Sequence, residues 1–179
     1  MSDPLPGHLS AVRGPLRPYA RLLMALDTTA GWTIVALISV MVAVVAVQVL
    51  LRYATNTSLG WSDELSRLTF VWTMFLAIPL GIRAGAHIGM EILTARLPGP
   101  VQGALARLMA AIAAALMALV AWQSAVVAFD QWDEKMASME ASAAWFIVAV
   151  AIGCTHSALH LVLIMLNGKP RAVMKVSTE

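Results

Sequence analysis

The chain has 179 residues, of which 60% are hydrophobic and 12% charged, about half the charged share of an ordinary soluble domain. That balance excludes a soluble globular protein and defines an integral membrane one. The net charge of +2 does not point to nucleic acid, because no basic patch with interleaved aromatics stands outside the segments that flank apolar runs.

Residues 1–27 contain Pro4, Pro6, Pro15 and Pro18 and lack the basic, apolar and small-residue regions of a cleavable leader, so none is expected. Leu16, Tyr19, Leu23 and Leu26 recur at three or four residues against Arg17 and Arg21. This pattern predicts a short helix on the membrane surface before the first span. Residues 28–51 are uncharged, rich in Val and Ile, and bounded by Asp27 and Arg52. They are long enough to cross a bilayer, and their one strongly polar member is Gln48. The polar run Tyr53 to Gly60 is read as a loop.

The stretch from Trp61 to Leu97 has a charged entry, an apolar middle and an amphipathic exit. Ser62 is placed to cap the helix, with Asp63 and Glu64 in the first turn where carboxylates meet free amides. Arg67 lies one turn further on, so an ion cluster with both acids is expected. The second span is read at about residues 62–86, with an amphipathic extension over 87–97. Two stripes run through its exit: Gly81, Gly85 and Gly89, and, offset by two, Arg83, His87 and Glu91. Two residues correspond to about 200° of helix rotation, so the stripes face nearly opposite ways. The glycines permit close helix packing, and the polar stripe suits headgroups, water or a partner's charges.

The prolines and glycine at 98–100 end the helix. A third span covers residues 107–129, where Ala111, Ala114, Ala118, Ala121, Ala125 and Ala128 repeat at alternating steps of three and four, a seam for left-handed packing. The connector from Asp130 to Glu140 carries four acids and Lys135. A fourth span covers 141–168, and 170–179 form a short tail. Residues 28–169 are therefore one four-helix transmembrane domain between two terminal segments. Nine of the twelve Lys and Arg fall on the termini and the second connector; the positive-inside rule then places both termini in the cytoplasm.

Residues able to carry transport chemistry in the spans are scarce. No Asp, Glu, Lys or Arg is expected at membrane depth, where an ion or substrate site would need them. Cys154 is the chain's one cysteine, which precludes a disulfide within it. His156 and His160 stand at i,i+4 in the fourth span. They are read as hydrogen-bonding glue between helices, because no metal motif of specific spacing occurs and haem held by two histidines needs them on opposite sides of the iron. Neither a catalytic group, a cofactor nor a metal is expected, and the chain is not read as an enzyme. The alternative is a haem-binding membrane anchor of a redox complex.

Trp61, Asp63, Glu64, Leu65 and Arg67, then Trp72 and Phe75, then Arg83, Ala86, His87 and Ile88 together resemble the small permease subunit of TRAP transporters, the Q-type subunit of the tripartite ATP-independent periplasmic transporters. The resemblance runs from about residue 30 to residue 100. The family tends to carry two glutamates where this chain has Asp63 and Glu64, and small residues where it has Pro79. It implies a multi-pass protein of the bacterial inner membrane, in contact with lipid, with no cargo site of its own. It also implies two partners: a large permease subunit with the substrate and sodium sites, and a periplasmic binding protein delivering small organic acids. The resemblance and the two helical stripes together give the expected partner or interface set: Trp61, Asp63, Glu64, Arg67, Gly81, Arg83, Gly85, His87, Gly89 and Glu91.

Overall fold

The computed structural model describes residues 16–57, 59–84 and 99–167. Among them are four helices: α1 (Arg17–Thr55), α2 (Gly60–Ala84), α3 (Gly99–Asp130) and α4 (Ala144–Asn167). All four are long and apolar enough to cross a membrane, so the chain is an all-α, multi-pass membrane protein. The extension 87–97, the tail 170–179, and Gly85, His87, Gly89 and Glu91 lie outside the described residues.

α1 has 39 residues, which at 1.5 Å per residue is almost twice the roughly 30 Å of a bilayer core. The surface helix expected around Leu16–Leu26 and the first span are one continuous rod, because no helix breaker follows Pro18 in its first turn until Asn56, which ends it at a left-handed φ of 53°. Toward the Arg17 end, α1 buries Ala20, Leu23, Asp27 and Ala30. Beyond them, only a half-buried stripe of Gly31, Ile34, Leu37, Met41, Val44, Gln48 and Leu51 faces inward. Its steps of three and four are those of left-handed packing, here against α2.

α2 lies between α1 and α4, and α3 packs most extensively on α4. α3 turns Ala110, Ala114 and Ala128 inward, with Met117, Ala121 and Ser124 half-buried between them. The expected alanine seam exists, but its register differs: Ala118 and Ala125 are exposed. The larger residue Met117 takes the inward place where α3 faces Ile82 and Leu161.

α2 and α4 approach most closely at Gly153. A Cβ there would stand 2.5 Å from the Phe75 carbonyl oxygen. Pro79, inside α2, has no N–H to donate to that carbonyl four residues back, so the oxygen is left open to the α4 backbone. Glycine lets the two backbones meet, as small residues do in membrane bundles.

Candidate functional site

At the Arg17 end of the bundle, three helices converge on one carboxylate. Asp27 shares the inward face of α1 with Ala20, Leu23 and Ala30 and is 1% exposed. His160 Nε2 lies 2.8 Å from its Oδ1 in hydrogen-bonding geometry, and Arg83, in the last turn of α2, donates from Nη1 to Oδ2 at 3.2 Å. His156, one turn before His160, brings its Nε2 to 3.1 Å from the same Oδ1. That is ion-pair distance, but the ring is not aligned for an N–H···O bond, and this buried nitrogen has no hydrogen-bond partner. The angle decides the case, since a hydrogen bond needs direction as well as distance.

Leu23 and Leu163 close over the cluster with Ala20, and Tyr19 donates to the Leu159 carbonyl at 2.8 Å. Burying an unpaired carboxylate is prohibitive, whereas one with hydrogen-bonding partners from two other helices ties them together. Asp27, expected to mark the aqueous edge of the first span, is therefore an interior residue. His160 bonds between helices as expected of it. Asp27, His156 and His160 are also the group among the described residues whose ligand atoms, within 4.8 Å of one another, suit a metal ion.

At the opposite end, the charged entry of α2 does different work from that expected. Ser62 does not cap: α2 begins at Gly60, and the Ser62 hydroxyl donates back to the Leu59 carbonyl at 2.6 Å. Asp63 accepts from Gln48 Nε2 of α1 at 3.1 Å. Both Glu64 oxygens accept backbone amides, of Ala137 at 2.8 Å and of Ser138 at 2.9 Å, which clamps the α3–α4 connector onto α2. Among the described residues, neither acid pairs with Arg67, because each finds a donor on another segment that fixes its direction. Arg67 is exposed.

Trp61 is exposed and Gly81 half-buried. Trp72 donates to the Trp145 carbonyl at 3.1 Å and stacks at a tilt on its ring, which in turn meets Trp132. The interface set is thus split between two ends of the bundle: Trp61, Asp63, Glu64 and Arg67 at one, Gly81 and Arg83 at the other. Asp27 was missed by sequence reading. Its signal was there in the spacing of Ala20, Leu23, Asp27 and Ala30 along one helical face.

A bundle of four helices long and apolar enough to cross a membrane defines a class: a small polytopic membrane component. The comparisons specify it. Residues 41–169 match the family "Tripartite ATP-independent periplasmic transporters, DctQ component", and the chain belongs to that family. It is 30% identical over 64 residues to a putative TRAP transporter small permease protein of Haemophilus influenzae, covering 36% of this chain and 40% of that one. It is also 38% identical over 45 residues to the C4-dicarboxylate TRAP transporter small permease protein DctQ of Pseudomonas aeruginosa, covering 25% and 21%. The chain thus matches less than half the length of these relatives.

Proposed function

We propose that the chain is the non-catalytic small membrane subunit of a TRAP-type secondary transporter of the bacterial inner membrane. It scaffolds and anchors the large permease subunit during sodium-driven uptake of small organic acids delivered by a periplasmic binding protein. The observation that carries this reading is the outward face of α2. Arg67, Phe70, Met74 and Ile78 are exposed in one stripe that continues from the Trp61–Arg67 stretch of family resemblance. α1 adds to it, since none of its most apolar window is buried within the chain. Such faces need lipid or another helix, and an arginine without an acidic partner at the end of the stripe favours a partner carboxylate or a headgroup.

The interior supports a scaffold better than a conduit. Asp27 is bonded by Arg83 and His160 rather than turned to an open path. The haem reading gains nothing from the geometry, since His156 and His160 sit on one helix and converge on one carboxylate instead of facing each other across an iron.

The test is co-expression with a large permease chain from a neighbouring reading frame. Replacing Arg67 by Glu with Phe70 and Met74 by Ala is expected to leave the chain inserted, weaken co-purification at least tenfold, about 1.4 kcal/mol of interface, and lower uptake of a labelled dicarboxylate in parallel. Full co-purification and full uptake in that variant, at equal membrane abundance, would overturn the reading.

A further inference from the structure

The Asp27 cluster holds one group that hydrogen bonding does not explain. His156 is 7% exposed, and its Nε2 lies 3.1 Å from Asp27 Oδ1 without forming a hydrogen bond. A buried imidazole nitrogen left without a hydrogen-bond partner is costly. Simple interhelical glue would turn the ring to a carbonyl or replace it with an aliphatic side chain.

We propose that Asp27, His156 and His160 bind a divalent transition-metal ion, of which Zn²⁺ is the natural member, and that the ion fastens α1 to α4. The ligand set is an imidazole pair with a carboxylate, the chemistry that suits Zn²⁺. The two histidines stand at i,i+4, a separation that brings side chains together on one helical face, and Asp27 comes from a different helix, as a site that ties elements together requires. In a four-coordinate Zn²⁺ site with bonds of 2.0–2.2 Å, neighbouring ligand atoms are about 3.3 Å apart. The nitrogens lie 3.1 and 2.8 Å from Oδ1, contacts that an ion would open by a few tenths of an ångström, and all three atoms already fall within 4.8 Å of one another. That is within the play of side-chain torsions. One ion would satisfy the stranded His156 nitrogen, His160 and Oδ1 together.

The surroundings supply a route and a control. An apolar cleft of about 440 Å³, lined by Leu26, Ala30, Trp72, Ala125 and Thr155, reaches the His156 side chain. Arg83 holds Oδ2, as outer partners orient a ligating carboxylate, yet its charge opposes that of the ion. Its side chain is 29% exposed, which makes it the group with room to give way. α1 and α4 make few contacts, and the ion would reinforce those around Asp27, where Ala20 and Leu23 pack on Leu163 and Tyr19 bonds to Leu159. This inference does not depend on the transport reading, and its test uses no uptake.

The experiment takes the full chain in detergent, with any affinity tag removed, strips it with EDTA, and titrates it with Co²⁺ as a spectroscopic probe and Zn²⁺ as competitor. One Co²⁺ per chain is expected, with the visible absorption of a four-coordinate site, displaced by Zn²⁺, and Zn²⁺ should raise the midpoint of thermal unfolding. Loss of a direct ligand should weaken binding beyond the roughly 10–100-fold effect of an outer partner. That outcome is expected of Asp27→Asn and of His156→Gln. Since His156 makes no hydrogen bond through Nε2, the His156 variant should fold as the parent does, which circular dichroism and size exclusion check, and it carries the test if Asp27→Asn does not fold. A parent chain that takes up no Co²⁺, or binding that survives in His156→Gln, would each overturn the proposal and leave a purely hydrogen-bonded lock.

Discussion

Gly153 shows how much a single missing side chain can decide. Pro79 withholds the amide that would cover the Phe75 carbonyl, and Gly153 sets the α4 backbone against the exposed oxygen. A methyl group there would meet a carbonyl oxygen and a Cβ at 2.5 and 2.8 Å, and neither belongs to a flexible side-chain end that can swing away. Gly153→Ala is therefore expected to push α2 and α4 apart and destabilise the chain by about 1–3 kcal/mol. Denaturant titration in mixed micelles measures this, and an unchanged midpoint would show that the close approach is not needed. Asp27 illustrates the complementary case, a side chain whose worth lies in its partners: without Arg83 and His160 its burial would not be tolerated.

The entry of α2 is where one helix organises another segment. Glu64 accepts two consecutive amides of the α3–α4 connector, and the connector adds its own bonds from Met136 to Ala141 and from Ala143 to Glu134. Replacing Glu64 by Ala removes both acceptors together while leaving the helix itself intact. The amides of Ala137 and Ser138 are then expected to exchange with deuterium faster than in the parent, with α2 protection unchanged. Equal exchange in both chains would mean that the connector holds its shape without the carboxylate.

For the molecule as a whole, the helices form a sequence of neighbours, α1 on α2, α2 on α4, α4 on α3, with much of α1 left to its surroundings. Such a bundle has two fastened ends, one held by Asp27 and the other by Glu64 and the tryptophans. The charge distribution supports an orientation: nine of the twelve Lys and Arg lie at or beyond the end of the bundle where α1 begins, and the positive-inside rule expects that end to be cytoplasmic. Reporters fused at the amino end, near Pro98 and at the tail are expected to report cytoplasm. A tail reporter active in the periplasm would mean an odd number of crossings and overturn this orientation.

The number, order and class of the helices were legible in the chain, because uncharged runs such as residues 28–51 and 108–129 have to span a bilayer whatever they pack against. Family resemblance was legible as well, in the charged and aromatic residues from Trp61 onward. The use of those residues was not. Asp63 and Glu64 sit at helical spacing from Arg67, yet both go to other segments, since local spacing makes a pair available without saying which competing donor lies nearer in space. Asp27 and His160 are 133 residues apart, and no periodicity links them. A run's polarity tells where a helix can lie, while its rotation about its own axis, which turned Asp27 inward and left Ala118 outside, follows from how all four helices pack together.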